Sequence, residues 1–219
     1  MRPRTHNLIS YSVAFLVFAG VGGILSAKSA DLRVAGEPGI VAGCAMWSAH
    51  FLRRVAESAW VHRYGKPSMP PLDMGVEYVY YWTFAVWNAA ALFAPGYRSP
   101  DMLLIVVGAV VFFAGEYGNA KSHLLLRNLR PSGTTQRGMP RGFLFERISC
   151  PHYFFEIVSW MGFAIATQTW AAFIMLIMST VILGAWARTR HRAYQTEFDG
   201  RDGRARYPAG RRAMIPGIF

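Results

Sequence analysis

The sequence predicts an all-α fold: a multi-pass membrane bundle of about six transmembrane helices with no Rossmann domain. Apolar residues make up 53% of the 219 residues and charged residues only 16%, whereas soluble domains carry about 25% charged residues. Six segments approach the ~20 mostly apolar residues that a membrane-spanning helix needs. The Gly-rich stretch "GVGGIL" lies inside the first of these segments and ends in Leu where a dinucleotide fingerprint needs Gly.

The six predicted spans follow one another closely. The first is long for the apolar core of a signal peptide and other spans follow it, so we expect a retained helix. The second is the least apolar, and the fifth and sixth, joined only by "ATQT", form a tight helical hairpin. The spans are residues 8–27, 39–62, 75–95, 102–126, 148–165 and 169–187.

The basic residues indicate the orientation of the bundle. Of the 23 Lys and Arg residues, all but Lys28, Arg33 and Arg98 fall on one side of the predicted membrane when adjacent helix ends are included. Because basic residues concentrate on the cytosolic side, both termini are expected in the cytosol. This explains the net charge of +11 as a membrane-facing surface, without a nucleic-acid partner.

Three spans carry polar side chains at the spacing of a single helix face. Such side chains are costly in a bilayer and should face one another or a shared cavity. Either buried ion pairs such as Glu57–Arg54 or a ligand site would satisfy them, and three faces near one boundary favour a site. The faces are His50, Arg54 and Glu57; Asn119, His123, Arg127 and Arg130; and His152, Glu156 and Ser159, with Arg190, His191, Arg192 and Tyr194 expected just past span six.

The composition of these faces favours an anionic, phosphate-bearing ligand, because Arg and His outnumber acids there. There is no P-loop, no His-Glu-x-x-His motif and no serine nucleophile elbow. Two cysteines are too few for a cysteine zinc site, so no metal site is expected.

Six motifs in order resemble the trans-2-enoyl-CoA reductases of very-long-chain fatty acid elongation, within the steroid 5α-reductase superfamily. The resemblance runs from about His50 to Phe219. It implies a membrane reductase domain at 39–219 with a basic cytosolic tail at 188–219, preceded by a first span and loop at 1–38. The motifs are "HFLRRVAESAWVHR", "YYWTFAVW", "GNAKSHLLLRNLRPSG", "SCPHYFFEIVSWMGFAIATQ", "WARTRHRAYQTEF" and "RRAMIPGIF".

The resemblance also implies a chemistry and a cofactor. NADPH would supply a hydride to the β-carbon of an activated C=C, and Tyr153 resembles the tyrosine that donates the proton. Glu57 is the second candidate catalytic residue, and His50, Arg54 and Trp160 are candidate substrate-binding residues. The implied cofactor ligands are Asn119, His123, Arg127, Arg130, His152, Glu156, His191 and Tyr194.

Departures from the family pattern bear on the substrate. Phe51 occupies the position where steroid 5α-reductases have a tyrosine that polarises the ketone, which favours an enoyl-CoA over a steroid enone. His152 replaces the family's asparagine, and an insert at 199–206 precedes Tyr207. An isoprenylcysteine-type methyltransferase and a non-catalytic scaffold are the alternatives of another class. The expected location is a bacterial inner membrane or the endoplasmic reticulum, with the site facing the cytosol and a lipid-like substrate.

Overall fold

The protein is a bundle of six long helices. The computed structural model describes residues 1–28, 36–65, 68–129, 138–201, 203 and 205–219. Within these ranges the only extended pairing consists of two isolated bridges, Ile148 with Arg212 and Asp199 with Arg206. The helices are α1 (Pro3–Lys28), α2 (Pro38–Ala56), α3 (Pro71–Leu92), α4 (Met102–Asn128), α5 (Pro151–Thr167) and α6 (Trp170–Glu197).

Proline marks the beginning of several helices. Pro38, Pro71 and Pro151 open α2, α3 and α5, where a missing N–H costs nothing and the fixed φ suits the first turn. α2 continues into a π-helical turn at Glu57–Val61, a feature often found at functional sites. The predicted hairpin is confirmed, since only Gln168 and Thr169 separate α5 from α6.

The last helix is longer than expected. The sequence placed its end near 187 and the basic cluster beyond it, but α6 continues to Glu197, so Arg190, His191, Arg192 and Tyr194 lie on the helix. No Gly or Pro interrupts residues 185–197, so the backbone hydrogen bonds continue through the polar segment. At about 1.5 Å per residue the helix exceeds the ~30 Å hydrocarbon core, and its last turns extend beyond it.

Length and composition identify three helices that could cross a membrane among the described residues, namely α1, α4 and α6. α5 has 17 residues, and the C-terminal half of α2 carries two arginines. These helices pack inside the bundle, where their polar faces find partners. An all-α membrane bundle is thereby confirmed as the fold.

Small residues bring α4 and α5 into close contact. A Cβ added at Gly108 would lie 2.6 Å from the Gly162 carbonyl oxygen, and one at Gly115 would lie 2.5 Å from the Ser159 nitrogen. A Cβ at Gly162 would overlap the backbone of Phe112. Such close approach is typical of helices packed in membranes, and it brings the polar faces of α4 and α5 within hydrogen-bonding distance.

Aromatic side chains fill the rest of the bundle. Trp47 of α2 is fully buried, stacks on Phe18 of α1 at 4.6 Å between centroids and packs on Trp160 of α5 at 5.9 Å. The polar faces lie at the end of this core where α2 passes into its π-helical turn. The buried residues of this aromatic and apolar core include Tyr11, Phe18, Trp47, Phe51, Phe84, Phe112, Trp160, Phe163 and Met175.

The C-terminal segment, residues 205–219, folds back against the beginning of α5. The Ser149 N–H donates to the Arg212 carbonyl at 2.8 Å, and the Cys150 N–H donates to the Ala213 carbonyl at 3.0 Å. Ala213 and Met214 are buried with Cys150 and Ala187. The end of the chain is thereby attached to α5 and α6 beside the polar faces.

Candidate functional site

Glu57 organises the first part of the site. Its carboxylate accepts from Arg53 Nη1 at 2.5 Å, from Arg54 Nη1 at 2.8 Å and pairs with His123 Nδ1 at 2.8 Å. Arg54 also donates to the Tyr11 phenol at 2.7 Å. Three helices are thereby joined around one buried carboxylate, because Tyr11 is on α1, both arginines are on α2 and His123 is on α4.

A second carboxylate extends this network toward α5. Glu116 of α4 accepts from Arg53 Nε at 2.7 Å and pairs with His50 Nδ1 at 2.8 Å. The other nitrogen of His50, Nε2, lies 3.5 Å from Glu156 Oε1 of α5. His50 has no exposed surface. Its ring lies between Glu116 of α4 and Glu156 of α5 and so links α2 to both helices.

Asn119 connects α4 to α5. Its amide nitrogen donates to the His152 carbonyl at 2.7 Å and to Glu156 Oε2 at 3.0 Å. The ring of His152 lies 5.7 Å from that of His123. Three residues that the sequence predicted as cofactor ligands, Asn119, His152 and Glu156, therefore form one group beside a fourth, His123.

Five buried polar atoms in the ion-pair network and in the α4–α5 contact lack a hydrogen-bond partner among the described residues. Native proteins satisfy nearly all such atoms, so these atoms are available to hydrogen-bond a bound polar ligand. They offer both donors and acceptors. They are His50 Nε2, Arg53 Nη2, Arg54 Nε, Asn119 Oδ1 and His152 Nδ1.

Tyr153 lies at the edge of this group. Its ring packs on His152 at 4.2 Å and lies 6.3 Å from the ring of Trp186 on α6. Its phenol oxygen has no hydrogen-bond partner in the described part of the chain, which leaves the hydroxyl available to a ligand. The ring is half-buried, packed against the cluster of Cys150, Ala187, Ala213 and Met214.

A narrow cavity between α3, α5 and α6 reaches the site. Its wall includes Glu156 and Trp160 of α5, Tyr80 of α3, and Ser179 and Trp186 of α6. The lining is mainly apolar and aromatic, with Glu156 at the side that faces Asn119. The cavity is narrow, and Glu156 connects it to the polar group of Asn119 and His152.

The end of α6 contributes a third group of polar side chains. His191 Nδ1 lies 2.6 Å from Ser149 Oγ, and the same hydroxyl lies 2.7 Å from the phenol oxygen of Tyr207. Tyr207 stacks on Tyr194 with ring centroids 5.7 Å apart. Ser149 immediately precedes the first turn of α5, so the predicted α6 residues lie close to the predicted α5 residues.

The remaining predicted residues differ in their placement. Trp160 lines the cavity, whereas His50 and Arg54 are buried in ion pairs and His50 packs on the Trp160 ring at 4.5 Å. Arg127 lies on the last turn of α4, one turn beyond His123, and is partly exposed. Arg130 lies outside the described residues.

Sequence reasoning missed three participants in the network. Glu116 pairs with His50 and precedes Asn119 by three residues and His123 by seven, so the same face spacing could have identified it. Arg53 is adjacent to Arg54 and would have been assigned to another face. Tyr11 lies in the most apolar span, and no pattern distinguished it from a packing residue.

One set of side chains has the spacing of metal ligands. Glu57, His62 and His123 each place a potential ligand atom within 4.8 Å of the others. Both oxygens of Glu57 already accept from Arg53 and Arg54. Two guanidinium groups at the same carboxylate would repel a cation, so the surroundings suit an anion better than a metal ion.

Comparison with known proteins identifies relatives across most of the chain. A very-long-chain enoyl-CoA reductase of Dictyostelium discoideum is 36% identical over 170 residues, which is 78% of this chain and 55% of the relative. A probable very-long-chain enoyl-CoA reductase of Caenorhabditis elegans is 35% identical over 79% of this chain and 57% of its own length. A steroid 5-alpha-reductase of Arabidopsis thaliana is 35% identical over 52% of this chain and 42% of its own length.

The chain spans about half the length of these curated relatives. The model of the 3-oxo-5-alpha-steroid 4-dehydrogenase family matches residues 72–219. That range contains α3 to α6 and the C-terminal segment, and so includes Asn119, Glu156 and His191. The chain belongs to the 3-oxo-5-alpha-steroid 4-dehydrogenase family.

Proposed function

We propose that this protein is an NADPH-dependent membrane reductase that reduces the activated C=C of a trans-2-enoyl-CoA. The observation that carries the proposal is the buried group of Asn119, His152 and Glu156 at the inner end of an apolar cavity. A polar nucleotide and an elongated acyl chain need these two environments side by side. The two enoyl-CoA reductase relatives described above support the substrate class.

The residues present fit a nicotinamide nucleotide. Asn119 Oδ1 and His152 Nδ1 are buried without described partners, and both can bond a carboxamide or ribose hydroxyls. Glu156 can accept further hydrogen bonds at the same place. On α6, His191 and Tyr194 would hold the more distant parts of the cofactor, and the partly exposed Arg127 is available to a phosphate.

Bound NADPH would supply the hydride that reaches the β-carbon of the substrate. The protein supplies the second hydrogen: the Tyr153 O–H donates a proton at the α-carbon, and solvent restores it. The same hydroxyl can first donate a hydrogen bond to the thioester oxygen, which stabilises the charge developing there. Tyr153 lies beside the cavity wall that includes Glu156 and Trp160, so both partners can reach it.

The ion-pair network has a supporting role in this proposal. Glu57 and Glu116 each accept from an α2 arginine and pair with a histidine. His50 then reaches Glu156. Glu57 thus acts on catalysis by fixing the helices that carry Asn119 and Glu156, and the predicted direct catalytic role becomes a positioning role.

Reduction of a steroid enone is the second candidate, and the Arabidopsis relative favours it. Phe51 argues against it, because this side chain is wholly buried between aromatic rings and has no hydroxyl for a ketone. An NADPH oxidation assay that offers trans-2-enoyl-CoA and an enone steroid in parallel separates the two candidates.

Cofactor protection tests the proposal without a substrate. NADPH should raise the melting temperature of the detergent-solubilised protein, whereas S-adenosylmethionine should leave it unchanged. Glu156→Gln should reduce the NADPH effect. Glu37→Gln is the matched control, because Glu37 precedes α2 at its opposite end, about 28 Å from the π-helical turn.

Two outcomes would contradict this assignment. Protection by S-adenosylmethionine alone would indicate a methyltransferase. Equal NADPH protection in wild type and Glu156→Gln would remove Glu156 from the cofactor site.

The basic loops next to this end of the bundle also lead us to propose that the site faces the cytosol.

A further inference from the structure

Ser149 lies where three segments of the chain meet. It precedes the Cys150–Pro151 start of α5 and has no exposed surface. Its hydroxyl contacts His191 of α6 and Tyr207 of the C-terminal segment. Neither the motif spacing nor the family resemblance assigned a role to this serine.

The first contact orients His191. Ser149 Oγ lies 2.6 Å from His191 Nδ1 and 3.2 Å from the Arg212 carbonyl. A serine has one proton to donate, and Ser149 Oγ donates it to the Arg212 carbonyl. The Ser149 oxygen then accepts from His191 Nδ1, which carries the ring proton. His191 Nε2 accepts in turn from the Gln195 amide nitrogen at 3.0 Å.

The second contact orients Tyr194 through Tyr207. With its proton donated to the Arg212 carbonyl, Ser149 also accepts from the Tyr207 phenol at 2.7 Å. The ring of Tyr207 then stacks on that of Tyr194, with centroids 5.7 Å apart and an interplanar angle of 15°. One hydroxyl therefore fixes two α6 side chains that occupy neighbouring positions on the same helix face.

The backbone around Ser149 is itself constrained. Its N–H donates to the Arg212 carbonyl at 2.8 Å, and the Arg212 N–H donates to the Arg147 carbonyl at 3.0 Å. The Cys150 N–H likewise donates a hydrogen bond to the Ala213 carbonyl. Because these backbone bonds hold Ser149 in place, its side chain can position α6 relative to the beginning of α5.

We propose that Ser149 is a positioning residue for cofactor binding, whose hydroxyl holds His191 and Tyr194 in register with the beginning of α5. The inference rests on the proposed NADPH site and adds a residue to it. Ser149 acts through His191 and Tyr207. Tyr153 lies in the first turn of α5, and its N–H donates to the Cys150 carbonyl. The same segment would therefore support both the cofactor residues and the proton donor.

The test compares Ser149→Ala with a matched control in the full chain. Ser122→Ala removes an equally buried hydroxyl, but that hydroxyl donates to the Gly118 carbonyl of its own helix at 2.7 Å. Ser149→Ala should raise the NADPH dissociation constant and the KM for NADPH about tenfold, with kcat reduced less than about threefold. Ser122→Ala should stay within about twofold of wild type in all three quantities.

Tyr207→Phe provides a second variant that keeps the ring stack and loses only the bond to Ser149. It should weaken NADPH about threefold and remain folded. The double variant His191→Ala with Ser149→Ala should lose less NADPH affinity than the product of the two single losses, because both residues act through one interaction. Additive losses would show that Ser149 and His191 act independently.

The outcomes separate this inference from the proposed function. A wild-type protein that binds no NADPH refutes the cofactor site, and the role of Ser149 falls with it. A wild-type protein that binds NADPH, with unchanged binding in both Ser149→Ala and Tyr207→Phe, overturns the positioning role alone. If Ser149→Ala fails to fold, unchanged NADPH binding in Tyr207→Phe is sufficient to reject it.

Discussion

At the scale of single residues, Glu57 joins three side chains of the buried ion-pair network. It is 5% exposed and compensates the guanidinium groups of Arg53 and Arg54 while it pairs with His123. A buried ion pair contributes little when compared with apolar residues of the same size. Removing one partner is much more costly, because it leaves the other charge uncompensated.

Glu57→Gln should therefore destabilise the fold strongly. We expect a loss of about 3–5 kcal/mol, because the buried Arg54 guanidinium loses its carboxylate partner and Arg53 keeps only Glu116. Thermal unfolding of the detergent-solubilised protein measures it. Asp73→Asn, in the exposed first turn of α3, should cost less than about 1 kcal/mol. A Glu57→Gln protein as stable as Asp73→Asn would show that the network does not hold the helices.

Tyr153→Phe tests the proposed proton donor. It removes one hydroxyl without a described partner, so the fold and NADPH affinity should be nearly unchanged. Turnover should fall about 100-fold or more, because general acids contribute about 10²–10⁴-fold. Steady-state kinetics and NADPH binding are the measurements.

Tyr117→Phe is the control for this change, since Tyr117 is 65% exposed on α4. Its turnover should equal that of wild type. Full activity of Tyr153→Phe would remove the phenol from the mechanism and leave solvent or another group as the proton source.

The polar residues show where sequence reasoning succeeds at this scale. His50, Asn119, His123 and Glu156 were predicted to meet because helical spacing assigns a residue to a face. Glu116 could have been found by the same argument. Side chains such as Tyr11 could not, because its bond to Arg54 depends on how α1 packs against α2, and no local pattern encodes that contact.

At the scale of helices, the α4–α5 contact positions Asn119 and Glu156, the residues that we propose bind the cofactor. The glycines of this contact allow backbone-to-backbone approach, and Asn119 reaches Glu156 only because the helices are so close. Their role could not be read from the sequence, where glycines also occur at exposed positions such as Gly20 and Gly23 with open space around them.

Gly162→Ala should separate α4 from α5. Its methyl group would overlap the backbone of Phe112, and a backbone cannot rotate away as a side chain can. We expect a loss of about 2 kcal/mol or more in stability and weaker NADPH binding, measured by thermal unfolding and NADPH titration. Gly20→Ala should leave stability unchanged or raise it by up to about 1 kcal/mol. Equal effects of the two changes would contradict close packing at Gly162.

The attachment of the C-terminal segment should depend on pH. The Gly142 N–H, and then the Arg211 guanidinium, lower the pKa of Glu146. A folded-state pKa below the unfolded value means that the stabilisation is present above the unfolded pKa and is lost as pH falls through the folded one. Glu146 is about half exposed, so the effect should be modest.

Glu146→Gln measures this contribution. Wild type should melt at a higher temperature than the variant near pH 6, and the difference should disappear as the pH falls below about 4. A constant difference across this range would show that the Glu146 charge does not support the segment.

The helices themselves were predictable and their ends were less so. Long apolar runs predicted the six helices to within a few residues at most of their ends. The end of α6 was predicted too early because hydropathy identifies only the apolar part of a helix. The backbone remains helical through the polar segment Arg188–Glu197. The docking of residues 205–219 involves contacts far apart in sequence, such as Ser149 with Tyr207.

At the scale of the whole molecule, polar side chains from α2, α4, α5 and α6 gather at one end of an otherwise apolar bundle. Four separate helices meet there through Glu57, Glu116, Glu156 and Ser149. Under the proposed function, these helix faces would take the place of the sheet of a dinucleotide-binding domain. The apolar cavity that reaches Glu156 would supply the lipid-like substrate from the same bundle.

The most direct test is NADPH oxidation by the purified wild-type protein, followed at the nicotinamide absorbance. Trans-2-enoyl-CoA, an enone steroid and no acceptor are offered in parallel. The account predicts rapid oxidation with the enoyl-CoA, little with the steroid and none without an acceptor. Oxidation with the steroid alone, or no oxidation with either acceptor by a protein that NADPH nevertheless stabilises, would contradict it.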